Sequence, residues 1–409
     1  MTARVRGALL LGVVLVPAVA LADQPEPVAP PAVVPIVPPG HAWDPRASSS
    51  GSAIIPDSVP PPAPVFAWQP FGYLRLQYIA VEDDPNVAFV GRDDGFELQN
   101  ARIGVRGELS QFRTPVAFVV AFDGAVDERE QVNTPDGKLR VGLRDAFADV
   151  ALGDRVVVRG GYFQALVDPE AMIGDTEREL VDNPIESRGM RATEGYQTPG
   201  LPPGRSLGAA IRIATAGRWA GRGGSESTSL GFEIAVQNGA DEFSSNNDND
   251  KPAISATAVG RWRESWVMAA ARYNPRTVGD LPFRQDENDV QTTAGLHLAL
   301  GPAALGGGVV AQRTSYPTTG GPSQTAYGGH AQLLVTVPLG PPIQIGYRFG
   351  ILDPSSLVTT DRVMEHAAAV VIGLPYYRMR VQLQLTHVVE QAARELSNDR
   401  VQLAAELAL

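Results

Sequence analysis

The chain has no cysteine, only two lysines and, past its first residues, no long apolar run. Each absence excludes something. Without cysteine there is no disulfide framework, a common staple of exported proteins; a sheet that closes on itself does without one. Lys138 and Lys251 are the only lysines, so nearly all positive charge is arginine. Arginine is always charged and grips carboxylate or phosphate through a planar fork, where lysine acts as a point charge. The net charge of −11 and a pI near 5.0 argue against nucleic acid as a partner. A mean hydropathy of −0.06, with no later stretch of the ~20 apolar residues a spanning helix needs, excludes a helical membrane protein. Neither fact excludes a membrane barrel, in which only alternate residues meet lipid.

What is present begins with an export signal. Arg4 and Arg6 precede an apolar stretch from Ala8 to Leu21, and Ala20-Leu21-Ala22 is an A-x-A cleavage pattern. The stretch is too short for a membrane anchor and contains Pro17. Residues 1–22 therefore read as a signal peptide. Residues 23–65 are Pro-rich, with Pro30-Pro31, Pro38-Pro39-Gly40 and Pro60-Pro61-Pro62. They carry no periodic apolar pattern and read as an extended, disordered periplasmic linker; binding to peptidoglycan or a partner is the functional alternative.

From Phe66 to the last residue the pattern has period 2. Leu74, Leu76 and Tyr78 alternate with Arg75, Gln77 and Ile79, and Val381, Leu383 and Leu385 with Arg380, Gln382, Gln384 and Thr386. Period 2 is the strand period. Sixteen strand candidates follow, near 71–81, 96–109, 114–123, 139–152, 155–165, 205–214, 227–237, 253–262, 265–273, 290–300, 304–314, 325–337, 342–352, 362–372, 376–387 and 399–409. Their connectors alternate between short turns (Gly153-Asp154, Arg263-Glu264, Gly301-Pro302, 338–341, Gly373-Leu374-Pro375) and long polar loops. Thr215 to Glu226 is the misfit, long where the order asks for a short turn. A β-sandwich also alternates, but has no need for every second connector to be long. The expected fold is an all-β, sixteen-stranded antiparallel transmembrane barrel over 66–409, with short periplasmic turns and long extracellular loops.

Parity sorts the faces. Val116, Phe118, Val120 and Phe122 face lipid or a subunit contact, as do Leu230, Phe232, Ile234 and Val236. Aromatics near strand ends, including Trp68, Tyr73, Trp262, Trp266, Tyr273, Tyr327, Tyr376 and Tyr377, suit the headgroup level. The lumen side carries Arg75, Arg102, Arg106, Arg159, Arg212, Arg272, Arg348, Arg378 and Arg380. Such a column of charge attracts anions; alternatively, Asp123, Asp145, Asp149, Glu233 and Glu406 pair with it and stiffen the wall. The longest loop, 166–204, follows the fifth strand. Folded inward, it forms a constriction with Glu177, Glu179, Asp182 and Arg188; otherwise it caps the mouth. Pro169-Glu170 opens a short helix through Met172.

Asn246-Asn247-Asp248-Asn249-Asp250 lacks the glycine and terminal glutamate of a calcium loop and reads as solvated surface. His297 and His330 have lumen parity, His387 does not, and no Ser-His-Asp spacing or metal pattern emerges. No catalytic residue, cofactor or metal is expected.

Several segments are similar to the phosphate-selective porin O and P family. Asn100-Ala101-Arg102-Ile103-Gly104-Val105-Arg106-Gly107 resembles an early strand of that family, Leu143-Arg144-Asp145-Ala146-Phe147 its fourth strand, and Gly160-Gly161-Tyr162-Phe163 the next. Val236-Gln237-Asn238-Gly239 resembles a strand opening into a loop, and Tyr347-Arg348, Asp353, Gly373 and Tyr376-Tyr377 the late strands. The resemblance covers most of 66–409. It implies a sixteen-stranded homotrimeric porin of the Gram-negative outer membrane, in contact with lipid, with its third extracellular loop folded inward and passive diffusion of small anions such as phosphate. The chain differs in using arginine where the phosphate-specific members use lysine, and in ending at Leu409 rather than an aromatic. A barrel enzyme and a non-conducting structural or adhesive barrel are the competing functions.

Overall fold

A computed structural model describes residues 66–409, apart from 88–89, 92–93, 110–113, 125–140, 154, 175, 192, 216–228, 240–250, 279–283 and 392–394. The signal peptide, the Pro-rich segment, the 246–250 run and nearly all of the misfit connector lie outside the described residues.

Sixteen antiparallel strands form one closed barrel in chain order. They are β1 (Phe66–Val81), β2 (Gly95–Leu109), β3 (Val116–Asp123), β4 (Gly142–Ala151), β5 (Val156–Gln164), β6 (Arg205–Ala214), β7 (Ser229–Gln237) and β8 (Ala253–Trp262). The second half comprises β9 (Ser265–Val278), β10 (Gln285–Leu300), β11 (Ala303–Ser315), β12 (Gln324–Val337), β13 (Ile343–Asp353), β14 (Val363–Leu374), β15 (Met379–Glu390) and β16 (Arg400–Ala408). All sixteen expected strands are present. β1 pairs with both β2 and β16, from Tyr73↔Ala408 to Val81↔Arg400. Closure reaches the last residue, because Leu409 N donates to Gly72 O at 3.0 Å. Among the described residues no helix is long and apolar enough to cross a membrane; the crossing elements are strands.

Burial is inverted relative to a water-soluble domain. Ile234, Leu230 and Ile345 are half exposed, while Glu233, Gln237, Gln382, Gln384 and Gln402 are buried. Apolar side chains on the outside and polar ones within are what a lipid solvent demands; an arginine at the outer midplane costs ~2–4 kcal/mol. Trp68, Trp262, Tyr376 and Tyr377 are exposed at the short-turn end, and Tyr78, Phe96, Tyr273 and Tyr327 toward the long-loop end. Two aromatics depart from expectation: Tyr73 and Trp266 are buried and face inward. Tyr73 lies beneath the guanidinium groups of Arg75 and Arg102, and Trp266 stacks on His297.

One turn is also shifted. β14 continues through Gly373 to Leu374, and the chain reverses over Pro375–Tyr377, a 3-10 turn. Proline's fixed φ starts such a turn, and Arg378 ends it at φ 50°. Two register shifts, at Arg75/Leu76 and at Ala121/Phe122, mark bulges in β2 and β4.

Candidate functional site: the lumen and its inner loop

The connector between β5 and β6 lies against the inner wall. At its first foot Leu166 N donates to Glu233 Oε1 at 2.8 Å, and Thr257 Oγ1 donates to Leu166 O at 2.5 Å. Phe163, Leu166, Val167 and Met172 pack there on Val259, Trp266 and Met268. Pro169–Met172 is a 3-10 turn capped by Asp168, whose Oδ1 accepts from Glu170 N at 3.0 Å. The expected helix from Pro169 is thus one short turn.

The wall makes room for the loop with inward glycines. A Cβ at Gly295 would stand 2.6 Å from Pro169 Cβ, and one at Gly328 would stand 2.5 Å from Glu186 Cβ. Beyond the turn, Arg178 O accepts from Arg380 at 2.5 Å, Glu179 O from Gln382 at 3.0 Å, and Val181 N donates to Gln384 Oε1 at 2.8 Å. Arg348 donates to the carbonyls of Asp182 and Asn183.

The second half of the loop is held by a buried ion network. Arg188 pairs with Glu194 at 2.7 Å and Glu365 at 2.5 Å. Arg400 pairs with Glu194, with Glu365 at 3.0 Å and with Asp182 at 3.6 Å. Burial works against the Glu194 carboxylate, but Arg188, Arg400 and Arg191 outweigh it and hold its pKa well below the usual range. The Asp168 carboxyl, by contrast, is pushed up to about 7 by burial and by neighbouring Glu170 and Glu186. Burial also raises Glu179 to about 7. Leu201 O accepts from Gln291 at 2.7 Å where the chain returns toward β6.

The arginines sort by partner. Arg75 and Arg380 both bind Glu406, the latter at 2.9 Å. Arg102 pairs with Asp123 at 3.0 Å, Arg159 with Asp149 at 2.6 Å, Arg212 with Glu233 at 2.6 Å and Arg348 with Glu365 at 3.3 Å. Arg106 instead meets the neutral amide of Gln69, at 3.1 and 3.3 Å, and lies over the Phe71 ring. Arg272 forms no hydrogen bond or ion pair with a described residue. Arg378 departs from the expected wall position: it is exposed in the Pro375–Tyr377 turn, because that turn begins after Leu374. Of the loop residues, Glu177 is exposed and Glu179 half-buried, whereas Asp182 and Arg188 are spent on docking the loop.

Sequence reasoning missed Arg400 and Glu365, which share the latch from β16 and β14, on either side of β15; both have inward parity, but only the fold shows that they meet. It also missed Arg144. The bulge between Leu143 and Asp145 frees it from strand parity, and it reaches Asp123 at 3.7 Å.

The loop covers one side of the lumen. Gln382, Gln384 and Glu365 beneath it are 0–1% exposed, while Arg106, Asp145, Asp149 and Arg159 on β2–β5 remain partly exposed. Ser187 donates to Asp168 at 3.2 Å, and His330 is engaged by Glu186 at 2.5 Å, so serine and histidine are not aligned with each other. Among the described residues no group of three His, Asp or Glu is placed to hold a metal ion.

No protein-family model and no curated protein matches the sequence. Solved structures do match. An anion-selective porin from Comamonas acidovorans superposes with a TM-score of 0.59 at 13% identity, over 84% of this chain and 100% of that one. The outer membrane channel DcaP of Acinetobacter baumannii gives 0.56 at 12%, over 84% and 97%. The trimer form of OmpT, an outer membrane protein of Vibrio cholerae, gives 0.55 at 9%, over 85% and 100%. At these identities the likeness is one of fold.

Proposed function

We propose that this barrel is a porin: a water-filled channel for passive diffusion of small hydrophilic solutes, with a mild preference for anions, phosphate among them. The barrel belongs to the outer membrane of a Gram-negative cell. Its long loops face outward, and it works as a homotrimer in contact with lipid. The observation that carries the reading is the asymmetry of the lumen. The inner loop covers the wall from β7 through β16 to β1 and touches the loop end of β2, where Gln99 donates to Val181 O at 3.4 Å and Arg191 lies 3.6 Å from Glu97, while Arg106 on β2 and the inward residues Asp145, Asp149 and Arg159 of β4 and β5 stay partly exposed.

Along that side a solute meets Arg106, Arg102–Asp123 and Arg159–Asp149, with Glu177 and Glu179 on the loop. A fixed guanidinium without a neighbouring carboxylate raises the local concentration of anions and lowers that of cations. Paired charges do little at a distance. Selectivity therefore rests chiefly on Arg106, and the preference is modest because most wall arginines are neutralised. The fold of the anion-selective porin and the trimer form among the similar structures support the reading without carrying it. No step needs a nucleophile, a cofactor or energy coupling.

The test is conductance of the purified protein in planar bilayers. Ohmic, salt-dependent current steps are expected, with a reversal potential in a salt gradient on the anion side. Folded, inserted barrel that passes no current would sink the proposal in favour of a structural or adhesive barrel. Turnover of a lipid or ester substrate without conductance would favour the enzyme.

A further inference from the structure

We infer that the inner wall around Arg272 binds a small anion that itself carries a hydroxyl, of the kind of hydrogen phosphate or a 2-hydroxycarboxylate. Arg272 stands on β9, opposite Ser255 on β8 and Gln291 on β10. Ladder partners lie ~5 Å apart, so the guanidinium sits in a collar of neutral polar side chains. The legs of the inner loop flank it: Leu166 is fixed to Thr257, two residues from Ser255, and Leu201 to Gln291.

Two independent features point to a ligand. The first is a guanidinium with no ion pair among the described residues, next to a second cation, Arg276. The carboxylate whose charge acts on Arg272 is Asp289. That group is already engaged by Arg276 at 2.9 Å and by Thr314 Oγ1 at 2.6 Å. The second is a pair of orphaned polar atoms beside it. Gln291 and Thr293 are 2% and 5% exposed, and Gln291 Oε1 and Thr293 Oγ1 have no hydrogen-bond partner among the described residues. A buried polar group left unpaired costs about 1–3 kcal/mol, so this wall is built for something that completes it.

The orphans also define the ligand. Arg272 can only donate. Gln291 spends its amide nitrogen on Leu201 O, so what it has left to offer is the oxygen, which can only accept. The guest must accept from the guanidinium and donate to the amide oxygen, with the Thr293 hydroxyl free to serve either way. Hydrogen phosphate and glycolate have both functions at neutral pH. Sulfate, acetate and chloride have no O–H. Binding here does not depend on transport, so a barrel that conducts nothing would still show it.

Equilibrium dialysis of the detergent-solubilised, folded full chain against labelled phosphate and glycolate at pH 7 tests the inference. Saturable binding of one anion per chain is expected, with sulfate and acetate about tenfold weaker or worse, as loss of a charge-assisted bond implies. Arg272→Gln should lose about tenfold or more in affinity, Thr293→Val a smaller factor, and Arg313→Gln on the exposed rim nothing. Heat-modifiable gel migration establishes that each variant is a folded barrel. Absence of saturable binding to the folded wild type, equal affinity for phosphate and sulfate, or unchanged binding in folded Arg272→Gln would each overturn it. If phosphate binds and glycolate does not, the ligand is the inorganic oxyanion; the converse result makes it the hydroxy acid.

Discussion

Replacing Arg106 by glutamine should turn the channel toward cations, and the size of the effect can be worked from the wall. Among the described residues Arg106 meets only Gln69 and the Phe71 ring, so no described carboxylate cancels its charge. A unit charge about 6 Å from a passing ion contributes ~0.7 kcal/mol in a water-like dielectric. Screening at ~0.1 M salt cuts that to ~0.4 kcal/mol, which favours an anion about twofold and disfavours a cation about twofold at RT ≈ 0.59 kcal/mol, or about fourfold in their permeability ratio. The assay is the reversal potential across a planar bilayer at ~0.1 M salt, where the Debye length is about 10 Å. At ~1 M it falls to about 3 Å and the difference between variant and wild type should vanish. The control is Arg159→Gln combined with Asp149→Asn. It removes a 2.6 Å ion pair at no change in net charge and should leave the ratio within about twofold, as for a screened dipole. An unchanged ratio in Arg106→Gln, or an equal shift from the paired control, would refute the reasoning.

The buried latch is the next target. Arg400→Gln strips two carboxylates, Glu194 and Glu365, of a fully buried partner, a loss of about 3–5 kcal/mol; the loop should become protease-sensitive in a barrel that stays folded, and open-channel current should become larger and noisier. Gly295→Val places side-chain atoms where Pro169 sits and should free the same loop, seen again by proteolysis. Glu179 gives a pH dependence. Its pKa is raised from 4.5 to about 7, so it carries a proton below that pH and loses it above. As pH falls from 8 to 6 the pathway sheds a negative charge, and anion preference should rise with a midpoint near 7. Because the docked pKa exceeds the unfolded one, this group favours docking of the loop fully below about pH 4.5, and that contribution is lost as pH rises to about 7. Glu179→Gln should flatten the profile in reversal potential and shrink the one in proteolysis rate, leaving the part that Asp168, also raised to about 7, contributes.

Much of this architecture is readable in the residues because lipid enforces strand parity. A row such as Leu230, Phe232, Ile234 and Val236 can face only one way, and Glu233 and Gln237 then face the other. Legibility fails where parity is broken or distance intervenes. Arg144 turns inward because a bulge inserts it between Leu143 and Asp145. Arg378 leaves the wall because Pro375 starts the turn two residues later than the glycine suggests. The latch joins Arg188, Glu365 and Arg400 across more than two hundred residues, and no local pattern encodes that meeting. A faint signal did exist: inward Gly295, Gly308, Gly328 and Gly350 leave a smooth wall where a loop can lie.

In the proposed channel the open path runs between the inner loop and β2–β5. The absence of native cysteine permits a direct measurement, single-channel current during thiol modification of single-cysteine variants. Val119 pairs in register with Arg106 and Phe147 on the open side, and Leu334 is buried with Leu180 beneath the loop. A charged methanethiosulfonate should cut current promptly in Val119→Cys and leave Leu334→Cys unaffected. Prompt block at Leu334 with none at Val119 would place the path on the other side of the loop and contradict the account.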